Sequence, residues 1–205
     1  CEEYGQNLLV PLGAVNPAWP DWQEDLRRVD EVYGMPGIKL YPSYQNFSLD
    51  DPEVEELIRM AAERDLIVVI AVDMEDERVH HPRVEVTAAD VTPLADVLPG
   101  IPDARVVLVN VFRHVRGNAL QTMVDETNVL FDIARLDGAG GLYEITNGTH
   151  WYLSPTIPAE RLVFGSHAPF FPVENSLLKF MEGPITEQQA NTIMYENVQE
   201  WTATA

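Results

Sequence analysis

Three ionisable residues in apolar surroundings mark where chemistry could reside. Lys39 lies inside the apolar run from Gly37 to Tyr41, Asp132 lies between Phe131 and Ile133, and His167 follows Gly165-Ser166 and precedes Ala168-Pro169-Phe170-Phe171. An ammonium or carboxylate within an apolar run requires a partner or a polar pocket. Lys39 can be satisfied by a salt bridge to Asp73 or Glu75, and a buried Lys39 and Asp132 can satisfy each other without doing chemistry. An imidazole titrates near neutrality and suits general acid or base work, although a hydrogen-bonded rim histidine is also common. The Pro-Phe-Phe sequence after His167 predicts a rigidly held ring under aromatic cover.

These residues need a scaffold, and apolar runs of strand length supply one. They recur at Leu8 to Val15, Gly37 to Tyr41, Leu66 to Val72, Arg105 to Val111, Val129 to Ala134 and Arg161 to Gly165. Each is rich in Val, Ile and Leu without clean polar alternation, the pattern of parallel strands covered on both faces. Helical patterns fall between them. Asp50-Asp51-Pro52 opens a helix whose Val54, Leu57, Ile58 and Ala61 share one face. Thr186 and Gln189 form a capping-box pattern before Ile193, Met194 and Val198. Weaker helices fit Trp22 to Tyr33, Asp90 to Leu98 and Asn118 to Glu126, and Gly138-Ala139-Gly140-Gly141 fits a turn before a helix.

Six strand-helix units in 205 residues predict a single α/β domain over residues 1–205, a TIM-barrel-like (β/α) fold with about six of the usual eight units. The Gly-rich loop of a doubly wound dinucleotide site is missing after the first strand. Ligands in such sheets bind at the carboxyl ends of the strands. There the sequence places Asn16, Lys39 with Tyr41, Asp73 with Glu75 and Arg78, Asn110 with Arg113, Asp132 with Arg135, and His167. His167, Asp132, Asp73 and Glu75 are therefore the candidate catalytic residues, and Lys39, Tyr41, Asn110, Arg113 and Arg78 the candidate substrate-binding residues. His114 is close enough to the fourth strand to line the rim. His80 and His81 fit a charged loop, and His150 fits a packing role beside Trp151 and Tyr152. No His-x-His, His-Glu-x-x-His or paired-Cys spacing marks a zinc site.

Composition narrows the function classes. Thirteen Lys plus Arg stand against 33 Asp plus Glu, a formal net charge of -20. Such a surface repels phosphate backbones, so no nucleic-acid partner is expected. The two lysines are Lys39 and Lys179. Scarce lysine with excess acid fits a high-salt host, and a GC-rich genome gives the same bias. No run approaches the roughly 18 apolar residues of a membrane span, and Glu2 and Glu3 stand where a signal peptide carries basic residues, so no membrane partner is expected. Cys1 is the only cysteine, which fits a reducing compartment and a cytoplasmic location. Two sequons, at Asn46 and Asn147, are short enough to arise by chance.

Several segments together resemble a known family. Gly37-Ile38-Lys39-Leu40-Tyr41-Pro42, the helix entry Asp50-Asp51-Pro52, the run Phe164 to Phe170, and Glu196-Asn197 before Trp201 look like the amidohydrolase-related branch of the metal-dependent hydrolases. That branch includes aminocarboxymuconate semialdehyde decarboxylase and related hydrolases and carboxy-lyases. The resemblance runs from about Leu8 to Trp201 and implies a barrel with a divalent metal, zinc or manganese, at its mouth. It implies metal ligands from a His-x-His on the first strand, histidines on the fifth and often the sixth, and an Asp on the eighth. Aligned so, the six strands are the third to the eighth, and the first unit lies upstream of Cys1. The fifth-strand histidine falls near Ala71 or Val72, and the eighth-strand Asp falls at His167. The metal ligands are thus not recognisable.

Two functions remain open. One is a hydrolase or carboxy-lyase acting on a small carboxylate-bearing molecule, with His167 as acid or base, Lys39 and Arg113 holding the carboxylate, and Asp73, Glu75 or Asp132 orienting water or the histidine. The other is a barrel without catalysis that binds a small molecule or serves as a subunit. The first requires Lys39, Asp132 and His167 to meet in one pocket. An incomplete barrel exposes strand edges, so homo-oligomerisation or cover by the terminal segments is expected.

Overall fold

A computed structural model describes residues 9–74, 83, 86–136, 141–148, 156–182 and 184–202. Glu75, Arg78, His80, His81 and His150 lie outside them. Six parallel strands form one sheet in sequential order: β1 (Gly13–Ala14), β2 (Gly37–Leu40), β3 (Ile67–Ala71), β4 (Arg105–Val109), β5 (Leu130–Asp132) and β6 (Leu162–Val163). Every crossover carries a helix: α1 (Trp22–Glu31), then α2 (Pro42–Gln45) and α3 (Pro52–Ala62), then α4 (Leu94–Val97), α5 (Gly117–Glu126) and α6 (Gly141–Asn147). After β6 come α7 (Val173–Glu182), α8 (Glu187–Asn191), a π-helical turn over Thr192–Glu196, and α9 (Asn197–Thr202). The expected α/β alternation is present, as a partial (β/α) barrel. Among the described residues no helix is long and apolar enough to cross a membrane.

Local sequence explains the element ends. Pro52 occupies the first turn of α3, where a missing N–H costs nothing, and Asp51 precedes it in extended conformation. The Asp51 carboxylate accepts from the Ser48 N–H instead of capping the helix. At α8 the Thr186 hydroxyl accepts from the Gln189 N–H while the Gln189 side chain accepts from the Thr186 N–H, completing the predicted capping box. Thr186→Ala is expected to lower stability by about 1 kcal/mol in urea titrations, and Thr186→Ser to retain most of it. A Thr186→Ala protein as stable as the parent would show that the α8 start contributes nothing to folding.

Side-chain alternation divides the sheet into two faces. Ile38, Leu40, Val68, Ile70, Val106, Leu108, Phe131 and Leu162 point to the helices, where Leu26, Leu57, Ile58, Leu94, Leu120 and Met123 complete the main core. The opposite face, the interior of the barrel, carries a smaller cluster of Ile67, Val107, Val109, Leu130 and Val163, with Val69 alongside. Val198 and Trp201 of α9 pack onto this cluster, so the C-terminal helix covers part of the inner face. Asn197 anchors that helix by donating to the carbonyls of Ala159 and Leu162 at 2.7 and 2.6 Å. Lys39 pairs in register with Val69, which pairs with Val107 and through it with Leu130. Lys39 therefore belongs to the inner face, and Asp132, two residues beyond Leu130, belongs to the same face one layer nearer the carboxyl ends.

Candidate active site

The inner face opens, at the carboxyl ends of the strands, into a cavity of about 530 Å³. Lys39, Tyr41, Asp132, Ser166 and His167 border it, and Val69, Val107, Val109 and Val163 wall it with Leu12, Phe164 and Phe170. The structure thus brings Lys39, Asp132 and His167 to one cavity, together with Tyr41. The Lys39 Nζ lies 5.4 Å from the Tyr41 ring centroid, within the range of a cation–π contact.

Asp132 ends β5, and its Oδ1 accepts from the Ala134 N–H at 2.6 Å. Its carboxyl packs directly over Gly165, where a Cβ would overlap the carboxyl atoms. Burial raises its pKa to about 6, and the Ala134 N–H, Lys179 and Lys39 pull only partly the other way. Both lysines of the chain thus bear on this carboxyl. Lys179 also donates to the Ile133 carbonyl at 2.8 Å.

The raised pKa makes stability depend on pH. Between pH 4 and 6 the folded state holds a proton on Asp132 that the unfolded chain has released, so this group's contribution to stability is fully present below pH 4 and is lost as pH rises through 6. The contribution lost is on the order of 3 kcal/mol, since the shift is about two pKa units and each is worth about 1.4 kcal/mol. Asp132→Asn is expected to remove that part of the pH dependence, measured as the difference between parent and variant unfolding free energies at pH 4 and pH 7.5. A constant difference across this range would contradict the assignment.

His167 follows β6 with φ 54° and is held on several sides. Its ring lies 5.2 Å from the Phe170 ring and 5.6 Å from the Phe171 ring, centroid to centroid, and its carbonyl accepts from the N–H groups of both. The aromatic cover predicted from Pro-Phe-Phe is therefore present. His167 Nδ1 lies 3.1 Å from Asn110 Nδ2. Burial lowers the His167 pKa, Arg135 and Lys39 lower it further, and Met74 backbone bonding and Asp73 offset this only in part. These effects favour the neutral ring.

A second cluster lies beside the cavity. Asp73, just past β3, meets His114 Nε2 at 3.1 Å and Arg135 Nη1 at 3.2 Å through its carboxylate, and its carbonyl accepts from Asn110 Nδ2 at 2.6 Å and from Arg135 at 3.2 Å. Burial raises the Asp73 pKa, but His114 and Arg135 outweigh it and hold the carboxyl below its ordinary value. With Arg113, these residues line a pocket of about 20 Å³ that is distinct from the larger cavity. Asp73, Asn110 and Arg113, expected at the substrate, do not border the larger cavity: Asp73 is tied to His114 and Arg135, not to Lys39. Asn16 is likewise used internally, donating to the Gln45 carbonyl and accepting from the Ala18 N–H.

Arg135, which the sequence placed at a strand end without a role, is the residue that links these groups. Asn110, Arg135 and His167 each have positive φ, at 61°, 57° and 54°. None is glycine, and all three sit just past β4, β5 or β6. Such backbone is uncommon outside glycine and persists where surrounding structure fixes it. Three occurrences past adjacent strands concentrate this strain at the strand ends, His167 on the larger cavity and Asn110 and Arg135 on the smaller pocket.

Comparison with solved structures establishes what scaffold this is. A TIM-barrel protein of Bordetella bronchiseptica superposes with TM-score 0.69 at 16% identity, over 95% of this chain and 66% of that one. The chain has the (β/α)-barrel fold. The 2,6-dihydroxybenzoate decarboxylase from Rhizobium gives 0.68 at 13% identity, over 99% and 74% of the two chains. The 5-carboxyvanillate decarboxylase from Sphingomonas paucimobilis gives 0.68 at 12%, over 95% and 66%. This barrel spans about two thirds to three quarters of the length of those structures. Neither a protein-family model nor a curated protein matches the chain.

The divalent metal implied by the family resemblance does not fit the described rim. No group of three His, Cys, Asp or Glu side chains converges among the described residues. The position of the eighth-strand carboxylate is His167, next to the positive charges of Arg135 and Lys39, which oppose a cation there. The steps proposed below use side chains alone.

Proposed function

We propose that the barrel is an enzyme of the hydrolase or carboxy-lyase type that acts on a small carboxylate bound in the 530 Å³ cavity. The observation that carries this reading is the meeting of a lysine, a carboxyl with raised pKa and an imidazole with lowered pKa around one apolar-walled space at the strand ends. Perturbed titratable groups in a concave site are the mark of catalytic machinery. The decarboxylases that share the fold support the reaction class by analogy of fold.

The residues divide the work by chemistry. Lys39 is the cation that holds the substrate carboxylate, with the Tyr41 hydroxyl beside it. The valine wall excludes water and strengthens that pairing. Asp132, ionised above about pH 6, accepts a proton from water or from a substrate hydroxyl. The imidazole of His167 presents a hydrogen-bond donor to charge that develops on the substrate. In a carboxy-lyase step the bond between carbon and carboxylate breaks, carbon dioxide leaves, and the electron pair left on carbon takes the proton that Asp132 has accepted from water or the substrate hydroxyl. In a hydrolytic step Asp132 takes the proton of water as its oxygen bonds to the substrate carbonyl carbon, the bond from that carbon to the leaving group breaks, and the leaving group takes the proton from Asp132.

A second reading, a barrel that binds the carboxylate without turning it over, draws on Ala71, Val72 and His167 at positions where the resembled family keeps metal ligands. One experiment separates the two. Small aromatic and unsaturated carboxylates are incubated with the protein, binding is followed by calorimetry, and products by carbon dioxide release and mass spectrometry. Turnover that disappears in Asp132→Asn supports the enzyme. Binding that requires Lys39, with no product from any bound compound, supports the second reading.

A further inference from the structure

We infer that Asn110 is a positioning residue that fixes His167 in one tautomer, with the proton on Nε2 and the Nδ1 lone pair facing the Asn110 amide. Neighbouring atoms dictate which way the amide faces. Asn110 Nδ2 lies 2.6 Å from the Asp73 carbonyl oxygen and 3.1 Å from His167 Nδ1. A carbonyl oxygen accepts and never donates, so the amide atom facing Asp73 is the NH₂. Turning the amide over would set two carbonyl oxygens against each other at hydrogen-bond distance. One N–H therefore goes to Asp73 and the other to His167 Nδ1, and a ring nitrogen that accepts carries no proton.

The backbone and the second amide atom support the same arrangement. Asn110 is 5% exposed and has φ 61°, a conformation that Asn tolerates better than most residues. Its Oδ1 is the only buried side-chain polar atom without a partner among the described residues. Asn110 lines the 20 Å³ pocket with Asp73, Arg113, His114 and Arg135, which is room for one water molecule. A fitting occupant would donate to Oδ1 and tolerate the two guanidinium groups of Arg113 and Arg135. Water does both, an anion cannot donate, and a metal cation is repelled. A water there would hold the amide from its oxygen side while Asp73 holds it from the nitrogen side.

This tautomer decides what His167 can offer. With Nδ1 engaged, the ring proton sits on Nε2, where it serves the backbone carbonyl of Met74 and a ligand in the larger cavity that Met74 also borders; Arg135 and Lys39 oppose a second proton while Asp73 favours it. His167 is then the hydrogen-bond donor, and Asp132, which borders the same cavity, is the acceptor. This division of roles rests on the function proposed above; the tautomer itself does not.

Long-range proton–nitrogen NMR of imidazole-labelled protein reads the tautomer directly, with the His167 signal assigned by its loss in His167→Gln. Above the His167 titration, Nδ1 is expected to resonate as a bare nitrogen and Nε2 as a protonated one. The reverse pattern, or averaging between the two, would overturn the inference. Asn110→Asp replaces the donor with an acceptor, so the proton should move to Nδ1 and the His167 titration should rise by about one pH unit or more. An unchanged tautomer in that variant would also overturn the inference, and if the variant does not fold, the parent spectrum alone decides. Absence of turnover alongside an intact Nε2–H tautomer would count against the proposed function and leave this inference standing.

Discussion

Gly165→Ala should destabilise the protein by about 3 kcal/mol in the parent and by only a few tenths in an Asp132→Ala background. The Cβ introduced at residue 165 would occupy the space of the Asp132 carboxyl group, touching both oxygens and Cγ. Overpacking alone costs about 1–3 kcal/mol. Here the displaced group also gives up its bond from the Ala134 N–H, a charge-assisted contact worth about 1.5–3 kcal/mol where it is buried. Truncating Asp132 removes the three atoms nearest to the new methyl, so the two substitutions should be strongly non-additive. Urea unfolding of the four proteins of the cycle measures the coupling. Equal costs of Gly165→Ala in both backgrounds would mean that the carboxyl does not sit over Gly165.

Lys39→Met should reduce kcat/KM for a carboxylate substrate by about 100- to 1000-fold, equivalent to about 3–4 kcal/mol, while leaving the thermal midpoint nearly unchanged. Met keeps the unbranched apolar stem along the inner face and removes the charge. What folding loses is chiefly a cation–π contact with Tyr41 at 5.4 Å, worth about 0.5–1 kcal/mol where exposed to a cavity. A bound carboxylate loses its counter-charge inside a wall of Val69, Val107, Val109 and Val163, where an unpaired anion is costly. The effect should appear in kcat/KM and in ligand affinity together. A variant that binds and turns over carboxylates like the parent would remove Lys39 from the site.

Much of the scaffold was legible because parallel strands covered on both faces read as runs of Val, Ile and Leu. The runs overstate the strands at the ends of the sheet. β3 and β4 are paired on both sides and extend over five residues each, whereas β1 and β6 have one neighbour each and two paired residues each. The helices α2 and α7 escaped the sequence reading. α2 is a single turn started by Pro42, and α7 follows the Pro-Phe-Phe segment, which reads as cover for His167. The capping box at Thr186 was readable from two residues because its hydrogen bonds are local.

The candidate site divides in the same way. Lys39, Asp132 and His167 stand out in the sequence because each interrupts or ends an apolar run, and the strand register then carries them to one side of the sheet. Which of them pair was not readable, since pairing depends on where the rim loops turn. Asp73 was a possible partner for Lys39, yet Arg135 and His114 hold it. Arg135 and Asn110 turn at positive φ without a glycine to announce it, so the sequence placed them at strand ends but gave no sign of their partners. The contact of Asp132 with Gly165 had one faint signal, a glycine directly before Ser166 and His167 at a strand end.

The proposal that the cavity of Lys39, Asp132 and His167 is where a small carboxylate is bound and transformed is tested most directly by product analysis on one set of proteins. Parent, Lys39→Met, Asp132→Asn and His167→Gln are each incubated with the same carboxylate panel, and released carbon dioxide and new products are quantified against a protein-free blank. At least one carboxylate should be converted by the parent, with conversion reduced about 100-fold or more in each variant while all four remain folded. Conversion that persists in all three variants would place the chemistry elsewhere in the molecule.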